Sequence, residues 1–217
     1  AFFSLEMSQD QLVGRILSSV SGINSDKLLR ADLNPEEWQQ VLKAANVMEE
    51  APLYIDDTPG LTVQMMRSKL RRLKVEHGLD LVIVDYIQLM QGSGQSRQGE
   101  NRQQEISDMS RNLKLIAREF NVPLIALSQL SRAVEQRPDK RPVLSDLRES
   151  GSLEQDADIV AFLYRDQYYN EDAESDITEV LFRKNRHGAT TTVNLLFQGE
   201  LTRFKDVSFT HSDSDAQ

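Results

Sequence analysis

The sequence contains no cysteine, only three histidines and a single tryptophan. Without cysteine the chain can form neither a disulfide scaffold nor a zinc ribbon, and it has no thiol nucleophile. Three histidines are too few for a histidine-rich metal centre. No apolar run approaches the roughly 18 residues that a membrane span requires, and the first residues lack the basic segment of a signal peptide. These absences predict a cytoplasmic protein with no membrane partner.

Several catalytic motifs are also absent. The sequence has no G-x-G-x-x-G, which leaves a dinucleotide-binding dehydrogenase without support, and no G-x-S-x-G or H-E-x-x-H. Acidic residues outnumber basic ones by 34 to 25, which gives a formal net charge of −9. That charge argues against affinity for nucleic acid over the whole surface. The 217 residues suit one α/β domain, or a domain with a fragment of another.

Short apolar runs alternate with stretches of helical periodicity. Strands are predicted at residues 1–5, 53–55, 79–84, 122–127, 158–164, 179–183 and 191–197. Helices are predicted to begin after Ser8, Asn34 and Thr62, and a long helix is predicted to end at Phe120. The alternation predicts an α/β fold with a mostly parallel sheet and flanking helices. The turn at residues 185–188 predicts an antiparallel hairpin near the C-terminus that adds antiparallel edge strands to this sheet.

Three polar residues follow predicted strands, where ligands of parallel sheets bind. Asp85 closes LVIVD, the Walker B pattern that holds Mg²⁺ beside nucleotide phosphates. Glu6 follows the first strand and is a candidate for orienting or deprotonating a water molecule. Gln129 is a candidate contact to a γ-phosphate. For each there is a simpler alternative: a helix first-turn glutamate, a strand-end cap and an ordinary loop residue.

Two basic features fit anionic ligands. The segment SDLRESGS, at residues 145–152, can offer backbone N–H groups and one guanidinium to a phosphate chain, although it also fits a solvated loop. Lys184 and Arg186 lie on the predicted C-terminal hairpin. They are candidates for an arginine finger and its companion that act on a neighbouring subunit, and the alternative is that they protect an edge strand from pairing. A basic stretch at residues 67–74 is better explained as a solvated face or subunit contact than as a DNA-binding helix.

Five segments carry a family resemblance. In order they are FFSLEMS, LVIVDYIQLM, ENRQQEIS, PLIALSQLSRAVEQRPDKRPVLSDLRESGSLEQDADIV and FRKNRHG. Together they closely resemble the motor domain of bacterial replicative DNA helicases, the DnaB family, from Ala1 to about Val207. The resemblance implies a RecA-like fold and a homo-hexameric ring that hydrolyses ATP with Mg²⁺, translocates on single-stranded DNA and unwinds duplex at the replication fork. It also implies primase and a helicase loader as partners.

The resemblance assigns roles to individual residues. Glu6 matches the catalytic glutamate, Asp85 the Walker B aspartate that binds Mg²⁺, and Gln129 the γ-phosphate sensor. Lys184 and Arg186 match the cations that reach the ATP of the neighbouring subunit, and Arg15 is expected near the nucleotide. The DNA-contacting loop is matched by Arg148, Glu149 and Gly151.

One family element is not matched, because the sequence has no G-x-x-x-x-G-K-[ST] phosphate loop. The resemblance places that loop upstream of FFSLEM. Residues 1–207 are therefore expected to be a partial motor domain without its first strand, phosphate loop and first helix, followed by a flexible tail at residues 208–217. Such a piece is expected to be inactive alone and to expose apolar surface. The alternatives are another RecA-like ATPase, such as a recombinase or a phage helicase, and a non-catalytic binding or assembly module.

Overall fold

The computed structural model describes residues 1–92, 102–170 and 176–207, and for residues 148–151 the backbone alone. Four strands form a parallel sheet: β1 (Phe2–Ser4), β2 (Ile55–Asp56), β3 (Val82–Asp85) and β4 (Leu124–Ala126). Their order across the sheet is β2-β1-β3-β4. The α/β fold with a parallel sheet is therefore as the sequence predicts.

Three helices begin at the predicted capping residues, and the helices lie between successive strands of this sheet or after its last strand. They are α1 (Gln9–Ser21), α2 (Ser25–Arg30), α3 (Pro35–Glu50), α4 (Val63–Glu76), α5 (Arg102–Phe120) and α6 (Gly151–Asp156). Ser8 and Asn34 each form a capping box at the start of their helix, and Thr62 caps α4. The short helix α2 was not predicted from the sequence. Within the described residues no helix is long and apolar enough to cross a membrane.

The main hydrophobic core joins the parallel sheet to α4 and α5. Val82 and Val84 are fully buried, as are Met66 and Leu70 of α4 and Ile116 of α5. These side chains recur at helical spacing in α4 and α5, so burial of one face of each helix fixes β3 in the interior. The carboxyl end of β3 is thereby held at a defined place on the sheet edge.

The prediction of a buried strand at residues 122–127 is wrong in part. The strand β4 exists, but Ile125 is 51% exposed and Leu127 beyond it 41% exposed. An apolar run indicates that its side chains can be buried. Whether they are buried depends on which other segments pack over them. Among the described residues, β4 is the last strand of its sheet.

The C-terminal strands form a second sheet. Its strands are β5 (Ile159–Arg165), β6 (Ile177–Asn185), β7 (Thr191–Gln198) and β8 (Arg203–Asp206), paired antiparallel in that order. The predicted hairpin joins β6 to β7, while β8 was not predicted. One face of β5 is exposed, with Ile159 at 54% and Leu163 at 65%. Among the described residues these four strands pair only with one another, so they form a separate sheet and are not the edge strands of the parallel sheet that the sequence predicts.

The cations of the basic stretch in α4 make contacts within the chain. Each of the five has an intramolecular partner: Arg67 and Arg71 pair with Glu119, Lys69 with Asp56, Arg72 with Glu76, and Lys74 with the Phe120 carbonyl. Four of these cations therefore tie α4 to other elements, while Arg72 pairs within the helix.

Candidate functional site at the carboxyl edge of the parallel sheet

Glu6 and Asp85 lie at the same edge of the parallel sheet. Strands β1 and β3 pair with Ser4 opposite Asp85, and the Leu5 N–H donates to the Asp85 carbonyl at 2.7 Å. Asp85 is half-buried at the end of β3, and Glu6 is exposed just beyond β1. The peptide bond between Asp85 and Tyr86 is cis. Parallel pairing thus brings together two carboxylates that are 79 positions apart in the numbering.

The charges around Asp85 alter its pKa in opposite directions. Partial burial raises the pKa of Asp85 above its usual value, and the negative charge of Glu6 raises this pKa further. Arg15 of α1 acts in the opposite direction, as a positive charge that lowers the pKa of Asp85. The structure therefore brings together three of the residues selected from the sequence as a group of two acids and one cation.

Gln129 reaches the same region through the pairing of β3 with β4. Val84 lies opposite Ala126, and the Leu127 N–H donates to the Val84 carbonyl at 2.9 Å. The loop after β4 then contacts Gln88, whose side-chain amide is bonded to the main chain of Gln129. The side chain of Gln129 is exposed and makes no hydrogen bond to the described residues.

The oxygen donors at this edge fit a magnesium ion that takes most of its ligands from water and substrate phosphates. Mg²⁺ prefers carboxylate oxygen and is commonly held by one or two carboxylates, with water and substrate phosphates completing its shell. Asp85 supplies one such oxygen donor beside Glu6. No group of three or more metal-ligating side chains occurs among the described residues. The residues present therefore fit a metal shared with a phosphate ligand better than a metal held by protein alone.

Lys184 and Arg186 lie away from this edge, at the C-terminal end of α6. The Lys184 ammonium donates to the carbonyls of Glu154 and Ala157, the latter at 2.8 Å. Arg186 donates to the Gln155 carbonyl at 3.1 Å and approaches the Asp158 carboxylate at 3.3 Å. Cations favour the C-terminal end of a helix, where carbonyl groups lack partners. Within one subunit these two cations are therefore engaged with α6.

Asp158 connects this cluster to α5. Its carboxylate pairs with Lys114 of α5 as well as with Arg186. The hydrogen bond from Lys114 holds the pKa of Asp158 below its usual value, and the charge of Arg186 acts in the same direction. The carboxylate consequently remains charged at neutral pH and orients the Arg186 guanidinium.

The predicted DNA-contacting residues lie on one short segment. Arg148 and Glu149 belong to a 3₁₀ segment at Leu144–Ser150, and Gly151 is the first residue of α6. Their side chains fall outside the part of the chain that the structure describes. The backbone ahead of them is anchored by Asp146, which is only 6% exposed in its side chain.

Asp146 makes several anchoring bonds. Arg137 binds its carboxylate with two hydrogen bonds, at 3.1 and 2.7 Å, and the Val143 N–H donates to it at 2.8 Å. The Asp146 carbonyl accepts the Ser131 N–H at 3.1 Å. The segment that precedes Arg148 is therefore tied to the loop that follows Gln129.

Some residues that support these sites were not predicted from the sequence. Gln88, Asp158 and the pair of Arg137 with Asp146 were inside the quoted motifs but received no role. The sequence signal available for Gln88 was its position three residues after Asp85. The partners of these residues are distant in sequence, so their roles become visible only when the chain is folded.

The fold and this edge define a class of α/β proteins in which polar residues at the carboxyl ends of parallel strands form the ligand site. Comparison with known proteins places the chain more narrowly. The family model described as the DnaB-like helicase C-terminal domain matches residues 1–206. The chain belongs to this family.

Individual relatives agree. Over 205 residues the chain is 56% identical to the replicative DNA helicase DnaB of Geobacillus stearothermophilus, covering 94% of the chain and 45% of that protein. It is 52% identical to the replicative DNA helicase DnaC of Bacillus subtilis, over 99% of the chain and 47% of the relative. The chain thus spans about half the length of the relatives it matches.

Two solved structures share the fold. One, described as an ATPase domain, superposes with a TM-score of 0.89 at 42% identity, covering 95% of this chain and 74% of that one. A DnaB-like replicative helicase, described in a study of its interactions with primase, gives the same TM-score and identity over 95% of this chain and 50% of that one.

Proposed function

We propose that the chain is the greater part of the motor domain of an ATP-driven replicative DNA helicase. In this proposal it acts within a longer protein that forms a homo-hexameric ring, translocates on single-stranded DNA and unwinds duplex at the replication fork. Family membership and the high identity to replicative helicases support the proposal. The observation that carries it is that Glu6 and Asp85 lie at the same carboxyl edge of the parallel sheet, close enough for the charge of Glu6 to raise the pKa of Asp85.

The chemistry follows from the positions of these two acids. Asp85 would hold Mg²⁺ beside the nucleotide, and bound Mg²⁺ would offset the negative charge of the phosphates. Glu6 is exposed beside Asp85, where it can accept a proton from an attacking water molecule. The side-chain amide of Gln129, which has no hydrogen-bond partner among the described residues, lies at the neighbouring strand end and would contact the γ-phosphate. Arg15 supplies a positive charge on the side of α1.

Two other residues would contact the ATP bound to the neighbouring subunit. Lys184 and Arg186 would reach the ATP of the next subunit and stabilise the transferring phosphoryl group. To do so they must leave the α6 carbonyls and, for Arg186, the Asp158 carboxylate that they contact in the single subunit. Both cations would exchange neutral carbonyl acceptors for phosphate oxygens, which gives stronger hydrogen bonds because donor and acceptor are then both charged, and Arg186 would also exchange one carboxylate for phosphate.

DNA contact would come from Arg148, Glu149 and Gly151. A single basic loop in each subunit of a ring is compatible with a net charge of −9, because phosphate contacts are then confined to the channel. In the same proposal the complete protein would work with primase and a helicase loader. The 217 residues alone would bind ATP poorly, because they contain no phosphate loop.

The proposal is tested by unwinding of a forked duplex with the full-length protein and its Asp85→Asn variant. We expect the variant to lose ATP-dependent unwinding and ATP hydrolysis, because an amide is a poorer Mg²⁺ ligand than a carboxylate. The matched control is Asp80→Asn, an exposed acid just before the opposite end of the same strand. Normal unwinding by Asp85→Asn, or equal loss in both variants, would contradict the proposed site.

A further inference from the structure

The side chain of Gln88 continues the pairing of β3 and β4 beyond the ends of both strands. The main chain supplies the last rungs, since the Leu127 N–H donates to the Val84 carbonyl and the Ile87 N–H donates to the Leu127 carbonyl at 3.1 Å. Beyond these bonds the Gln88 side-chain amide makes the next contacts between the two segments. Its Nε2 donates to the Gln129 carbonyl at 3.1 Å, and its Oε1 accepts the Gln129 N–H at 3.2 Å.

These two bonds reproduce what a neighbouring strand residue would offer. A side-chain amide has a donor and an acceptor in the same arrangement as a peptide group, so Gln88 binds both main-chain groups of Gln129 at once. A further bond from Nε2 reaches the Ser128 hydroxyl at 2.8 Å. The Gln88 amide thus has its donors and its acceptor engaged with two consecutive residues.

Gln88 is itself held in place. Ile87 beside it is fully buried in the main core, and the Arg102 guanidinium at the start of α5 donates to the Gln88 carbonyl. Gln88 stands three residues after Asp85, and all its bonds to Gln129 go to the main chain. The clamp consequently fixes the backbone of Gln129 relative to Asp85 and leaves the Gln129 side chain free to contact a ligand.

We propose that Gln88 is a positioning residue that holds Gln129 at its working distance from the metal-binding end of β3. The inference rests on the proposed function, in which Gln129 contacts the γ-phosphate. Displacing a reacting or contacting group by about 1 Å can lower a rate by about 100-fold. Loss of the clamp should therefore reduce the rate of the chemical step and leave nucleotide binding nearly intact, because the bonds of the Gln88 side chain go to Ser128 and to the main chain of Gln129, so the clamp positions the γ-phosphate contact alone.

The test measures ATP hydrolysis by the full-length protein carrying Gln88→Met, which retains the length of the side chain without its amide. We expect kcat to fall about 10-fold to 100-fold, with KM for ATP and the melting midpoint close to those of the unaltered protein. The matched control is Ser128→Ala, which removes the bond from Gln88 to the Ser128 hydroxyl and the long bond from that hydroxyl to the Gln129 carbonyl at 3.4 Å, and retains both bonds between Gln88 and Gln129. That control should have nearly unaltered kcat. A kcat for Gln88→Met within twofold of the unaltered protein would overturn the proposal.

A double variant separates positioning from independent action. Single-turnover hydrolysis is compared for Gln129→Ala with and without Gln88→Met. If Gln88 acts through Gln129, the second substitution causes no further loss. An equal loss in both backgrounds would refute the clamp. An unaltered rate in Gln129→Ala would instead refute the proposed role of Gln129 itself.

A second variant guards against a failure to fold. Gln88→Glu has nearly the same shape and retains the acceptor for the Gln129 N–H, but it loses both donors and places a negative charge against the Gln129 carbonyl. We expect its kcat to fall at least 10-fold at unaltered KM. A kcat equal to that of the Ser128→Ala control would overturn the proposal.

Discussion

Replacing Arg137 by methionine removes the partner of the most deeply buried ion pair that the described residues contain. Asp146 is only 6% exposed in its side chain, and Arg137 supplies two of the three hydrogen bonds to its carboxylate. Without Arg137 the carboxylate retains one main-chain donor, the Val143 N–H. An unpaired buried charge of this kind costs about 3 kcal/mol or more.

That free energy translates into a measurable change in melting. For a domain of this size, 1 kcal/mol shifts the melting midpoint by about 2–4 °C, so Arg137→Met should lower it by about 6–12 °C. The control is Arg72→Met, which breaks an exposed pair with side-chain exposures of 79% and 45%. Such a pair between i and i+4 of one helix contributes about 0.5 kcal/mol at most, so its loss should shift the midpoint by about 2 °C at most.

The two variants are compared by thermal unfolding at pH 7 and moderate salt. A midpoint for Arg137→Met within about 2 °C of that for Arg72→Met would refute the reasoning that burial of Asp146 decides the cost. A third protein, Arg137→Met with Asp146→Leu, should recover part of the loss because it removes the isolated charge. Recovery should be incomplete, since the Val143 N–H then loses its acceptor.

Three further predictions concern the proposed active site and its partners. Glu6→Gln should abolish ATP hydrolysis by the full-length protein and yet raise its melting midpoint at pH 7, because Glu6 raises the pKa of Asp85. A raised carboxyl pKa costs stability above that pKa and nothing below the ordinary value of about 4, so the gain should vanish in acid; a gain that persists at pH 3 would contradict this cause. Arg186→Ala should retain most nucleotide affinity but lose DNA-stimulated ATP hydrolysis. The control Lys114→Met removes the other partner of Asp158 and leaves Arg186 present, so it should retain DNA-stimulated hydrolysis. Normal turnover in Arg186→Ala would refute the finger assignment. Arg148→Ala should weaken binding of single-stranded DNA equally for different sequences and reduce its salt dependence, and an unchanged affinity across several salt concentrations would contradict the loop assignment.

Local signals in the sequence were sufficient for most helices and strands. Ser8, Asn34 and Thr62 have side chains that accept backbone hydrogen bonds, so they determine where helices begin without any tertiary contact. The short helix α2 and the strand β8 were missed because their segments carry weak periodicity. The candidate site was partly foreseeable, since Asp85 and Glu6 follow strands whose apolar runs are visible in the sequence.

The sequence by itself determined the alternation of strands and helices, the family resemblance and the residues that end the strands, because each of these depends on neighbours along the chain. Tertiary structure alone decided which residues meet. Parallel pairing of β1 with β3 places Glu6 against Asp85, and pairing of β3 with β4 brings Gln88 to Gln129. Packing of the second sheet engages Lys184 with the end of α6. It also decided that Ile125 of β4 is exposed, since an apolar pattern specifies what can be buried and only the surrounding segments can bury it.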